Sequence, residues 1–166
     1  MVSFTIRPMT AEDWGQASII YAEGIATGNS TFETGVPTYD QWNSRHLPGF
    51  CLVACDRGTV LGWCSLSPYS ARHVYAGVAE ASVYVGQNYR GRGVGTGLLS
   101  SLIELSESRG IWTLQAGIFP ENIASVALCK ALGFREVGVR RHLGQLNGVW
   151  RDVLLLERRS ARAGID

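Results

Sequence analysis

Between an apolar run, Val78 to Val85, and an amphipathic run, Gly93 to Ser108, the chain passes through Tyr89-Arg90-Gly91-Arg92-Gly93-Val94-Gly95-Thr96-Gly97, with four glycines in the seven positions from 91 to 97. The first run has the composition of a strand. The second brings Val94, Leu98, Leu99, Leu102, Ile103 and Leu105 close to one face at helical spacing, which predicts a helix. A strand that turns on glycine straight into a helix is a building unit of α/β folds. Glycine lets consecutive backbone amides turn inward at unusual dihedrals, and a helix start adds unpaired N–H groups and the positive end of the macrodipole. Such a turn cradles a phosphate or pyrophosphate, and Arg90 and Arg92 add local positive charge to it.

Two common phosphate motifs do not fit. A Walker A loop needs Gly-Lys-Ser/Thr, and Gly95-Thr96-Gly97 lacks the lysine. A GxGxxG dinucleotide fingerprint fails in both frames, with Thr96 or Leu98 where the third glycine belongs. Charge is no guide to a partner, because 15 basic against 14 acidic residues leave +1 and no global field toward nucleic acid or an anionic membrane. With 46% hydrophobic and 17% charged residues over 166 positions, the chain is expected to bury one core and form a single domain, residues 1–160, with 161–166 as a C-terminal tail. Met1 is followed by polar residues rather than an apolar leader, and no run approaches a membrane span, so a cytoplasmic location is expected. Cys51, Cys55, Cys64 and Cys129 form no CxxC, and His46, His73 and His142 are scattered, so neither a metal nor a disulfide is expected.

The order of elements follows from periodicity and caps. A strand over Phe4 to Arg7 ends at Pro8, and Thr10 with Asp13 opens a helix that fades near Gly24 to Gly28. Asn29 to Pro37 reads as a loop, and Thr38 with Gln41 caps a short second helix closed by Pro48-Gly49. Phe50 to Cys55 and Val60 to Ser67 form a hairpin about Asp56-Arg57-Gly58. After the Val78 to Val85 strand and its helix come a strand over Trp112 to Ile118 and a helix from Asn122 that stops at Gly133. Two last strands, Arg135 to His142 and Val149 to Glu157, flank Asn147-Gly148. The layout is an α/β sheet of about seven strands, partly antiparallel, with four helices on its faces.

The glycine turn also carries Arg-x-x-Gly-x-Gly as Arg90, Gly93 and Gly95; the strand before it reads Ala79-Glu80-Ala81-Ser82-Val83-Tyr84-Val85, and the last helix has Asn122 and Ser125 and ends in Gly133-Phe134. On these motifs the sequence resembles the GCN5-related N-acetyltransferase superfamily over nearly the whole chain. Within it, Ser30 to Thr34, Arg72 to Tyr75, Ala79 to Val85 and Asn147 to Val153 are similar to the phosphinothricin and methionine sulfoximine acetyltransferase group. The resemblance implies a mixed, largely antiparallel seven-stranded sheet with a splayed central strand pair. It further implies acetyl-CoA as co-substrate, a small amino-acid-like amine as acceptor, a detoxifying role, no metal and a homodimer.

Acetyl transfer to an amine requires a base for the ammonium proton. Glu80 is the one acid between Gly77 and Gln87 and the candidate for that base. The resemblance puts a catalytic glutamate there; a solvated glutamate is the alternative, because alternation does not say which face Glu80 occupies. By the same resemblance, Val83, Tyr84 and Val85 bind the pantetheine arm and acetyl carbonyl through main chain. Gly91, Arg92, Gly93, Val94, Gly95 and Thr96 with Arg90 hold the pyrophosphate, and Asn122 and Ser125 contact the pantetheine side; Asn122 can equally be a plain N-cap. Arg72 is implied as the carboxylate fork and Phe32 and Glu33 as acceptor-pocket lining, although a loop arginine is often only a surface residue. Cys129 stands where many members carry tyrosine, as thiolate proton donor or as packing, and Leu146 stands where close relatives often carry lysine. Two rival activities remain open, acetylation of a protein N-terminus or a polyamine, and a non-catalytic acyl-CoA-binding module.

Overall fold

The computed structural model describes residues 3–165; Met1, Val2 and Asp166, the outer ends of the predicted domain and tail, lie outside the described residues. Seven strands, β1 (Thr5–Pro8), β2 (Leu52–Asp56), β3 (Thr59–Pro68), β4 (Val78–Val85), β5 (Thr113–Ile118), β6 (Arg135–Leu146) and β7 (Val149–Arg159), form one sheet in the order β1-β2-β3-β4-β5-β7-β6. All neighbours are antiparallel except β4 and β5. Four helices accompany them: α1 (Trp14–Ala26), α2 (Tyr39–Ser44), α3 (Val94–Ser108) and α4 (Ile123–Ala131). This is the mixed α/β layout expected from the sequence, and among the described residues no helix is long and apolar enough to cross a membrane.

Strand alternation sorts the sheet into two unlike faces. On one, Ala79, Leu114, Ala116, Leu154 and Leu156 pack with Val94, Leu98, Leu99 and Leu102 of α3 and Cys129 of α4, all nearly or wholly buried. On the other, Val53, Cys55, Val60 and Trp63 pack under Ala17, Ile20 and Tyr21 of α1 and Trp42 of α2, with Tyr84 of β4 at the margin. That second cluster contains no residue of β5, β7 or β6. The part of the sheet it leaves uncovered becomes the floor of the site.

The local signals read from sequence are realised. Thr38 and Gln41 exchange both capping-box hydrogen bonds, at 3.0 and 3.3 Å. The Asp13 carboxylate accepts from the Thr10 N–H at 2.8 Å and from both ends of the Arg7 guanidinium at 2.8 Å, though the chain first makes a 3-10 turn over Ala11–Asp13 before α1 begins. The β2–β3 turn uses Arg57 and Gly58 at φ 46° and 84°, the left-handed pair of a two-residue hairpin loop.

The last hairpin departs from the reading. β6 does not end at His142 but continues to Leu146 through a bulge, in which the register jumps from Arg140↔Val153 to Gly144↔Arg151. His142 sits at φ 46° and donates its N–H to the Asp152 carboxylate at 2.8 Å. The extra residues break the alternation, so a bulged strand imitates a strand end. Leu146 is buried with Phe119 and Val153.

Candidate active site

Gly93 is the N-cap of α3 at φ 84°, Gly91 stands at φ 71°, and the first bond of the helix runs from the Gly97 N–H to the Gly93 carbonyl at 3.0 Å. The N–H groups of Val94, Gly95 and Thr96 therefore have no acceptor within the helix. They open on a cavity of about 470 Å³ lined by Arg90, Gly91, Gly93, Gly95 and Thr96, by Val83, Tyr84 and Val85 of β4, and by Asn122 and Ser125 of α4. A cluster of unpaired donors at a helix start suits an anion such as a pyrophosphate. Side chains contribute less than the sequence suggested. The Arg90 Nε donates back to the Val85 carbonyl at 3.3 Å, the exposed Arg92 does not line the cavity, and the Val94 side chain is buried in the core.

Strands β4 and β5 pair only from Val78↔Thr113 to Glu80↔Gln115. Beyond that point they diverge, and the β5-side backbone groups of residues 81–85 have no strand partner. A small cavity of about 100 Å³ fills the gap, lined by Glu80 to Tyr84 on one side and by Ala116, Gly117 and Ile118 on the other, with Asn122, Ser125 and Cys129 at its α4 wall. The splayed pair inferred from resemblance is thus present. Asn122 caps α4 by accepting from the Ser125 N–H at 3.3 Å and lines both cavities, its amide NH₂ having no hydrogen-bond acceptor among the described residues. Cys129 packs in the main core while touching the small cavity, and burial pushes its thiol up to about 11, so it keeps its proton at neutral pH.

Glu80 lies on the open face of the sheet. Half-buried, it accepts from the Gln115 amide at 3.2 Å across the last paired rung. It lines a third cavity of about 280 Å³ together with Ser82, Gln115, Gly117, Val153 and Leu155, all on the same face by register, and with Ser30 to Glu33 from the loop after α1. Tyr84 borders all three cavities. Its ring stacks on Trp63 at 4.6 Å and meets Tyr21 edge-on at 5.0 Å, and burial raises its hydroxyl well above the usual tyrosine range. Gly24 of α1 makes room for that ring, since a Cβ there would stand 2.9 Å from two of its carbons.

Phe32 and Glu33 line this third cavity. Phe32 packs edge-on against Phe119 at 4.9 Å, and Glu33 pairs with Arg45 at 3.6 Å. Arg72 does not join them. It lies exposed in the β3–β4 connection with its guanidinium 5.5 Å from the Tyr75 ring centre, outside all three cavities. The cavity instead carries Arg140 and Leu143 of the bulge, together with Gln115 and Phe119, none of which the sequence marked. Gln115 alone had a discoverable signal, being polar in an otherwise apolar strand. Arg151 ties the parts together from β7: it donates to the Gly28 carbonyl at 2.8 Å and the Asn29 side chain at 3.0 Å, and lies 4.0 Å above the Phe119 ring.

Residues 16–134 match the model of the Acetyltransferase (GNAT) family. The chain is 34% identical over 164 residues to the L-methionine sulfoximine/L-methionine sulfone acetyltransferase of Pseudomonas aeruginosa, covering 94% of each. Among solved structures it is similar to a GNAT superfamily phosphinothricin acetyltransferase from Sinorhizobium meliloti in complex with acetyl-CoA, with TM-score 0.89, 29% identity and coverage of 99% of this chain and 92% of that one. A ribosomal-protein-alanine N-acetyltransferase from Brucella melitensis superposes with TM-score 0.88 at 32% identity, covering 94% and 99%.

Proposed function

The chain belongs to the acetyltransferase (GNAT) family and is an acetyl-CoA-dependent N-acetyltransferase, and from that premise we propose direct transfer to the amine of a small amino acid or analogue, of the phosphinothricin or methionine sulfoximine type, with Glu80 as general base. One observation carries the reading: Glu80 and Val85 sit at opposite ends of a single splayed strand, Glu80 on the acceptor-sized cavity and Val85 on the cavity over the glycine turn. A substrate amine and an acyl thioester brought along that strand from either end meet between them.

Bound acetyl-CoA would supply a thioester to which the neutral amine forms its C–N bond while the C–S bond breaks, the CoA sulfur leaving as thiol with the proton shed by the new amide nitrogen. The chain's own residues do the rest. The N–H groups of Val94 to Thr96, with Gly91, Gly93 and Arg90, hold the pyrophosphate. The unpaired β5-side backbone of residues 81–85 aligns the pantetheine arm and offers an N–H to the carbonyl oxygen as charge grows on it. The free Asn122 amide and Ser125 bracket the arm from α4. Glu80, steadied by the Gln115 amide, takes the ammonium proton directly or through a water, and Phe32 walls the acceptor.

Thiol release from acetyl-CoA, measured with a panel of amino acids and analogues, tests this. Glu80→Gln is expected to lower kcat by roughly 10²–10⁴ while leaving acetyl-CoA affinity within about twofold, the usual worth of a general base. A variant with unchanged turnover across the pH range removes Glu80 from the mechanism. The likeness to a ribosomal-protein-alanine acetyltransferase favours a second reading, acetylation of a peptide N-terminus. Alanine-initiated peptides in the same panel separate the two.

A further inference from the structure

We propose that Arg140 is the residue that recognises the acceptor's carboxylate. The inference rests on the amino-acid acceptor just described and assigns the group that selects it. Arg140 stands opposite Val153 in the β6–β7 ladder, so its side chain emerges on the same open face as Val153 and, two residues on, Leu155. Among the described residues it is the only basic one lining the cavity that holds Glu80. The other acid there, Glu33, has its own partner in Arg45 at 3.6 Å.

Arg140 differs from three nearby arginines that are already engaged, and unlike the adjacent Arg141, also unpaired among the described residues, it lines the cavity. Arg135 pairs with Glu157 at 2.6 Å, Arg158 with Glu107 at 2.9 Å, and Arg151 is committed to Gly28 and Asn29. Among the described residues Arg140 has neither an ion pair nor a side-chain hydrogen bond. A guanidinium fork left unpaired beside the apolar walls of Phe32, Leu143 and Leu155 is completed by a planar anion such as a carboxylate. The register sets this face, and the bulge after Arg140 closes the end of the cavity: Arg141, His142 and Leu143 oppose the single residue Asp152, two more than a regular ladder holds, and Gly144 comes close enough to Phe32 that a Cβ would lie 3.1 Å from the ring. The amine thus faces Glu80 and the carboxylate faces the bulge, a polarity that a polyamine could not satisfy.

The test uses methionine sulfone, which has one anionic group, and its α-carboxamide. Steady-state thiol release at saturating acetyl-CoA is measured for the wild type, Arg140→Ala and Arg140→Lys, with calorimetric titration of methionine sulfone alongside. Arg140→Ala is expected to raise KM for the acid roughly tenfold or more, as loss of a charge-assisted pair does. The amide's KM and the KM for acetyl-CoA should stay within about twofold, and Arg140→Lys should recover part of the loss. Equal effects on acid and amide overturn the assignment, as does an acid-selective loss in Arg72→Ala with none in Arg140→Ala. Wild-type enzyme that binds methionine sulfone through Arg140 but releases no thiol with it overturns the proposed transfer and leaves the assignment standing; absence of binding overturns both.

Discussion

The cavity over the glycine turn and the cavity beside Glu80 meet at the Tyr84 ring but are assembled in opposite ways. The first takes its anion-facing groups from consecutive positions, Arg90 to Thr96, and mostly from their backbone. The second draws single side chains from the loop after α1 and from β4, β5, β6 and β7. Backbone donors at a helix start are fixed by the helix itself, so they serve any ligand with the same phosphate group. Side chains collected from separate elements depend on register and bulges, so they can be exchanged without disturbing the fold. A constant coenzyme and a variable acceptor call for this division.

A substitution that alters backbone without removing charge should therefore damage the coenzyme half most. Gly93→Val forces a β-branched residue to φ 84° at the α3 N-cap, a conformation costing about 1–3 kcal/mol or, if avoided, the turn itself. Acetyl-CoA affinity is expected to fall tenfold or more by calorimetry. Arg92→Ala, which removes a full charge outside the cavity, should change it by less than about threefold. If the order were reversed, the turn would be an electrostatic site rather than a backbone one.

The same contrast explains what the sequence disclosed. Gly91, Gly93 and Asn122 were legible because backbone geometry leaves a contiguous residue signature. Glu80 was legible as an isolated acid, but its face was not, because alternation in β4 is blind to which helices cover which side. Arg140 was invisible: it sits next to Arg141 and His142 in a stretch that reads as the fraying end of a strand, and only its pairing with Val153, set by the register shift between Glu136 and Gly138, puts it over the cavity floor. Arg72, which lies outside all three cavities, could not be placed for the converse reason, as a loop arginine carries no register to locate it. The β-hairpin turns at Arg57-Gly58 and Asn147-Gly148, by contrast, announced themselves through Gly58, Asn147 and Gly148, residue types that tolerate positive φ.

Tyr84 is where the halves should fail together. A Cβ at Gly24 would lie 2.9 Å from its ring, and Trp63 and Tyr21 leave that ring nowhere to retreat. Gly24→Ala is expected to destabilise the protein by about 1–3 kcal/mol, as overpacking does. It should also raise KM several-fold for acetyl-CoA and acceptor alike. A change confined to one substrate would show that the ring belongs to that half only.

The smallest effect concerns the support both halves share. Asp13 fastens the start of α1, whose far end carries Gly24 and the loop to Phe32, through its bidentate contact with Arg7. That contact is the main reason its carboxyl is lowered from 3.8 to about 2. A pKa lower in the folded than in the unfolded chain contributes stability that is complete above the unfolded value and disappears as pH falls through the folded one. The window therefore lies between about pH 4 and pH 2. With Arg7 half-exposed and solvent-screened, the contribution is about 1 kcal/mol. Urea midpoints of wild type and Asp13→Asn should differ at pH 6 and converge toward pH 2, whereas a gap constant with pH would mean that Asp13 acts by packing alone. Because α1 carries Gly24 of one cavity and leads into the loop that walls the other, acetyl-CoA and acceptor KM values of Asp13→Asn at neutral pH should move by the same small factor. The two halves can be separated by register and by turn, but not at their common support.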